Sequence, residues 1–209
     1  MPPDVFQDYS IEASARLNSV VAQFRKGGPD GEIIELSDGS NVEHNGELLT
    51  RERRVYSDTF AYKVYPQEFV SENDLVLTMP DGRKFKNRLS MEPIDLLSEP
   101  IKVDRTNDLR LKLTRPVKET EKLKFGLSVV GPDDGQSETG KTSISLQNIF
   151  ADDRATIIVS AADLATLKTG RAVATVEVSG QKPTDEGTPA GGRISYTYRS
   201  DHLQISIVK

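Results

Sequence analysis

Glu121-Lys122-Leu123-Lys124-Phe125-Gly126-Leu127-Ser128-Val129 puts Leu123, Phe125, Leu127 and Val129 on one face, with Lys122, Lys124 and Ser128 opposite. Period two is the signature of a half-buried strand; a helix needs apolar residues three and four apart. The same alternation recurs on both sides of this stretch. It appears in Leu109, Leu111 and Leu113, in Ile144 and Leu146, and in Ala155, Ile157 and Val159. It continues through Ala172–Val178, then Ile194, Tyr196 and Tyr198, and finally Leu203, Ile205 and Ile207. Antiparallel sheets packed face to face produce this pattern, whereas buried parallel strands read as continuous apolar runs. One helical turn near 160–168 interrupts the series. Ser160 stands at an N-cap with Asp163 three residues on, in the manner of a capping box, and Leu164 and Leu167 share a face.

The first half is less regular. Ala13–Phe24 reads as one long strand whose apolar side switches from Ala13, Ala15 and Leu17 to Val20, Ala22 and Phe24, which a bulge or a crossing between sheets would explain. Asn45-Gly46 signals a hairpin, and Pro80-Asp81-Gly82 a turn joining Leu75 and Leu77 to a strand over Lys84–Met91. Alternation lapses over 91–107, which contains Pro93 and Pro100. The resulting expectation is an all-β chain of two consecutive antiparallel β-sandwich domains, 10–97 and 98–209, with the boundary near Leu97. Two long polar loops, 131–141 and 180–192, are expected to be exposed and mobile.

Composition excludes several function classes. The chain has 209 residues, 28% of them charged, with a net charge of -5 and no clustered basic face of the kind nucleic-acid binding requires. Without cysteine there is no disulfide, thiolate zinc site or thiol nucleophile. No apolar run is long enough to span a bilayer. The start, Met1-Pro2-Pro3-Asp4, lacks a basic region and an apolar stretch, and the polar residues up to Glu12 suit a mature exported chain whose leader has been trimmed.

One motif imitates catalysis. Gly135-Gln136-Ser137-Glu138-Thr139-Gly140-Lys141-Thr142 matches the G-x-x-x-x-G-K-[ST] pattern of the phosphate-binding loop. In that loop backbone N–H groups wrap the phosphates, Lys neutralises them, and a helix N-terminus faces the anion. The helix must begin at the Lys, but Thr142-Ser143-Ile144-Ser145-Leu146 alternates as a strand. Asp133, Asp134 and Glu138 would also repel a triphosphate. A polar hairpin loop is the reading adopted, and the backbone after Gly140 is the discriminator.

Other chemistry is sparse. His44 and His202 fall in different domains without metal-ligand spacing, and His44, beside Asn45-Gly46, is expected in an exposed turn. The acidic pairs Asp133-Asp134, Asp152-Asp153 and Asp185-Glu186 do not follow a calcium-loop spacing. Arg51, Arg53 and Arg54 form one basic patch, and Arg83, Lys84, Lys86 and Arg88 another; both read first as solvated strand faces, with an anionic envelope polymer as the alternative. Tyr196 and Tyr198 share a face with Ile194 and are read as core, with a sugar-stacking platform as the alternative. No residue is assigned a catalytic, cofactor-binding or metal-ligating role.

The stretch from Arg154 to Val178, with Ser160-Ala161-Ala162-Asp163-Leu164 and Gly170, resembles a phrase of bacterial immunoglobulin-like modules. Together with Gly31–Leu36, Asp38-Gly39 and Asn45-Gly46, the chain resembles uncharacterised exported or lipid-anchored proteins of Gram-negative bacteria. That resemblance implies immunoglobulin-like sandwiches, a periplasmic or outer-membrane-associated location, a lipid anchor on a Cys removed from this sequence, and no shared catalytic residues. The expected function is a non-enzymatic cell-envelope binding or structural module whose partner is a protein or envelope polymer. The alternatives carried forward are a cytoplasmic location, a nucleotide-dependent enzyme using Gly135–Thr142, and a carbohydrate- or calcium-binding adhesin module.

Overall fold

A computed structural model describes residues 4–54, 59–97, 101–131 and 140–208. The chain is all-β, with one short helix among the described residues and no barrel. It divides into two compact units, residues 1–92 with Gly180–Thr197, and Pro93–Ser179 with Tyr198–Lys209. The single boundary expected near Leu97 thus differs from the observed grouping at Gly180–Thr197.

In the first unit, β1 (Val5–Ser14) and β2 (Ser19–Lys26) form an antiparallel hairpin. The expected single strand over Ala13–Phe24 is therefore two strands. Its change of apolar face is a turn, in which the Ser14 hydroxyl accepts from the backbone N–H groups of Arg16 and Leu17 while Asn18 Oδ1 accepts from Ser14 N. Leu17 is exposed at the tip. The polar-looking start is likewise a core strand, since Val5, Gln7, Tyr9, Ile11 and Ala13 all point inward; buried Gln7 hides the alternation.

Next come β3 (Ile33–Ile34), β4 (Asn41–His44), β5 (Glu47–Leu48), β6 (Thr50–Arg54), β7 (Thr59–Val64), β8 (Glu72–Thr78) and β9 (Lys84–Ser90). The order β1-β2-β7-β6 makes one sheet, with β3 on β2, and β5-β4-β8-β9 the other. Asn45 and Gly46 both take positive φ at the β4–β5 turn, and Gly82 does so between β8 and β9, as the turn signals require. An aromatic run crosses the core: Tyr9 meets Phe24 edge-on at 6.3 Å, and Phe24 meets Tyr62 at 5.6 Å. Burial pushes the Tyr9 hydroxyl well above the usual phenol range.

In the second unit, β10 (Ile101–Asp104), β11 (Leu109–Lys112), β12 (Glu121–Gly131), β13 (Ser143–Gln147) and β14 (Thr156–Val159) precede α1 (Ala161–Ala165). They are followed by β15 (Gly170–Thr188), β16 (Gly191–Arg199) and β17 (Leu203–Val208). Residues 170–179 of β15 lie between β12 and β17, β13 flanks β12, and β10 pairs in parallel with β17; β11 and β14 form the facing pair. The core is Leu109, Leu111, Leu123, Phe125, Leu127, Ile157, Val176 and Ile207, the alternating set expected from the sequence. Strand β10 lies within 91–107, where alternation lapses; only Ile101 and Val103 carry it, too few to register. Ser160 caps α1, its hydroxyl accepting from Asp163 N at 3.1 Å, and Leu164 is buried. No helix among the described residues is long and apolar enough to cross a membrane.

The remainder of β15 and β16, residues 180–188 and 191–197, belongs to the first unit, where β16 lies beside β1. The expected mobile loop over 180–192 is therefore a strand hairpin. Composition misleads here because tertiary partners hold the segment. Thr188 Oγ1 donates to Val5 O at 2.5 Å, and Arg193 makes a two-pronged pair with Asp8 at 2.8 Å on each arm. Gly180 has a packing reason to be glycine, since an added Cβ would lie 2.4 Å from the Tyr196 ring.

Candidate functional site

Of the phosphate-loop look-alike, Gly135–Thr139 lies outside the described residues, and Gly140–Thr142 is described. Lys141 forms a parallel bridge with Leu167: its N–H donates to Thr166 O at 2.8 Å, and Lys168 N donates to its carbonyl at 3.0 Å. Thr142 O accepts from Val129 N, and the chain then enters β13. The backbone after Gly140 is strand, so no helix N-terminus stands where the anion would sit. Gly140 has its own reason to be glycine. Its φ is +151°, and a Cβ would come within 3.1–3.3 Å of the Thr166–Lys168 backbone.

His44 is not an exposed turn residue. It ends β4, is 2% exposed, and its Nε2 lies 2.9 Å from Asn73 Oδ1. Asn73 Nδ2 donates to Val70 O and Leu89 O, which leaves its oxygen facing the imidazole, so Nε2 carries the proton. The sequence hid this because the pleat, not the adjacent turn, decides where His44 points. His202 is exposed in the other unit.

Asp153 and the pair Asp185-Glu186 are engaged locally. Asp133-Asp134 lies outside the described residues. Asp153 accepts from Ala155 N, Thr156 N and Thr156 Oγ1, and the first of these holds its carboxyl below the usual range. Asp185 accepts Arg88 N at 2.8 Å and Glu186 accepts Lys86 N at 2.6 Å, so this pair closes the outer edge of β9. The Arg88 N–H, then Lys182, holds the Asp185 carboxyl below the usual range. Among the described residues no three His, Cys, Asp or Glu side chains gather as a metal site.

Several members of the basic patches are paired with nearby carboxylates. Arg51 pairs with Glu35 and lies over Phe60, while Arg83 pairs with Asp81 and Arg88 with Asp74. Arg54's side chain lies outside the described set. Tyr198 is buried, its hydroxyl pushed up to about 12 by burial and then by Asp95 and Asp201, and Tyr196 is half-buried, so neither forms an open stacking face.

The residues that sequence reading passed over lie on the solvent face of the second unit's larger sheet. Register places Lys102 opposite Ser206 and Arg171 opposite the same Ser206, making a row of three across β10, β17 and β15. A groove of about 310 Å³ opens on this row, with Ile101, Val130 and Val173 along it and Gln204 at its side. Lys102 and Arg171 are exposed, and neither has a hydrogen-bond or ion-pair partner among the described residues. Such a row depends on strand register between distant segments, which alternation alone does not reveal.

No family model matches the chain, and no curated protein matches it. Solved structures give faint likenesses. SGBP-B of the Bacteroides ovatus mixed-linkage glucan utilization locus, solved with mixed-linkage heptasaccharide, is 11% identical with a TM-score of 0.25 over 94% of this chain and 54% of that one. The Yersinia pseudotuberculosis adhesin InvE is 10% identical with a TM-score of 0.26 over 99% and 59%. Human mucin-like protocadherin EC1-2 is 10% identical with a TM-score of 0.19 over 98% of both chains. The chain thus spans a little over half the length of the first two, and likeness at this level carries no argument about function.

Proposed function

We propose that the chain is a non-enzymatic binding or structural module of the cell envelope, exported, with a protein or envelope polymer as its partner. The observation that carries this reading is the strand after Gly140, with Lys141 bonded through its backbone to the 166–168 segment. The one catalytic-looking motif lacks the helix it needs. Asp153, Asp185, Glu186 and most of the arginines are engaged in bonds within the fold, as a scaffold requires. Titration of the full chain with Mg²⁺–ATP is the test: no saturable heat at micromolar nucleotide is expected. Micromolar binding abolished by Lys141→Ala would overturn the reading in favour of a nucleotide-dependent enzyme. Calcium belongs in the same experiment, where a large rise in melting temperature with millimolar Ca²⁺ would favour the adhesin alternative. Fractionation of cells expressing the complete gene tests the location, and a wholly cytoplasmic product would remove it.

A further inference from the structure

The groove over the second unit carries a more specific assignment, which rests on the reading of the chain as a binding module. We infer that the row Lys102–Ser206–Arg171, with the aliphatic strip beside it, binds an extended acidic segment of a partner protein. Across two strand spacings the row spans roughly 10 Å. That matches carboxylates three residues apart in a segment in the extended polyproline II conformation, which has three residues per turn and advances about 3.1 Å per residue, so that both carboxylates face the row. Charge argues for an anion. Arg199, in the same unit, meets Glu177, whereas the two cations at this groove are exposed and have no ion-pair partner among the described residues, in a chain of net charge -5. Asp104, on the same face of β10 as Lys102, forms no ion pair with it; its Oδ1 is turned to the N–H and hydroxyl of Thr106. Chemistry argues for a peptide over a sugar. No aromatic ring lines the groove among the described residues, so a pyranose has nothing to stack on, while Ile101, Val130 and Val173 suit aliphatic side chains. Val130 in particular is 66% exposed, on the outward face of a strand whose inward residues Leu123, Phe125 and Leu127 are buried.

The test uses the full chain and a fluorescent peptide built on the repeat Glu-Val-Ser-Glu, read by anisotropy at low salt, with polygalacturonate as the acidic-sugar probe. The expected result is saturable peptide binding that weakens about tenfold or more in Lys102→Glu/Arg171→Glu, since two charge-assisted contacts become repulsive. Lys102→Ala/Arg171→Ala should weaken it less. Arg110→Glu, at an exposed strand arginine on β11 with no ion-pair partner among the described residues, should leave affinity unchanged, and melting curves should show every variant folded. Absence of peptide binding, affinity unaffected by the groove variants, or groove-dependent binding of polygalacturonate in place of the peptide overturns the assignment. These failures leave the binding-module reading standing, because only nucleotide binding in the separate titration removes that.

Discussion

Glu121 opens β12 with a side chain 2% exposed, and its carboxylate takes both arms of Arg115, at 2.8 and 3.0 Å, together with Lys118 N at 2.8 Å. Arg115 is itself 14% exposed, so the pair is desolvated on the carboxylate side and nearly so on the other. Such a pair is no large source of stability when complete, but removing one member leaves a buried charge without its partner. Glu121→Ala should therefore destabilise the second unit by about 3 kcal/mol, the lower end for a buried pair because Arg115 retains some solvent. Urea unfolding followed by circular dichroism measures it. Arg115→Met/Glu121→Leu should recover most of the loss, and a double variant as unstable as the single one would show that packing, not the stranded charge, sets the cost.

The hairpin formed by residues 180–197 is the element that composition disguised. Asp185 and Glu186 act as side-chain surrogates for a missing neighbour strand, accepting the outward N–H groups of Arg88 and Lys86 on β9, while Lys182 Nζ donates to Arg88 O at 2.8 Å. An edge so occupied cannot template another chain. Because the folded-state pKa of Asp185 is lowered, its contribution is present above the unfolded carboxylate value of about 3.9 and is lost as pH falls through the lowered value. Hydrogen exchange at Arg88 should stay protected from neutral pH down to about 4 and open below it. Asp185→Asn should remove that pH step and raise exchange at the Arg88 amide at neutral pH, with β8 unaffected. Equal exchange in variant and parent would end the idea. Such long-range closure is invisible to alternation, which found β11, β12, β14 and β17 because each shows an apolar face of its own. It missed β10 for shortness, the β1–β2 turn for its Ser14 and Asn18 caps, and the Lys102–Arg171 row because its members are 69 positions apart in sequence.

At the scale of the molecule, the chain passes between its two compact units three times, after Glu92, Ser179 and Thr197. The second unit keeps its sheet pairs without residues 180–197, and Val176 and Ser200 are bonded just beyond the break, Ser200 N to Val176 O at 2.8 Å and Val176 N to Ser200 Oγ at 2.9 Å. The first unit needs the insertion. Without it β1 loses its neighbour β16, Asp8 loses Arg193, and buried Asn87 loses the Glu186 N–H that Oδ1 accepts at 3.0 Å. An exposed edge of β1 and unpaired buried polar groups both disfavour the folded state. Residues 93–209 with 180–197 replaced by an Asn-Gly turn should therefore fold and unfold cooperatively. Residues 1–92 alone should not, and fusing 180–197 after residue 92 through a flexible linker should restore a cooperative transition. Circular dichroism melts of the three polypeptides decide it. Cooperative unfolding of residues 1–92 by themselves would mean that the contiguous division near Leu97 describes the folding units better than the interleaved one.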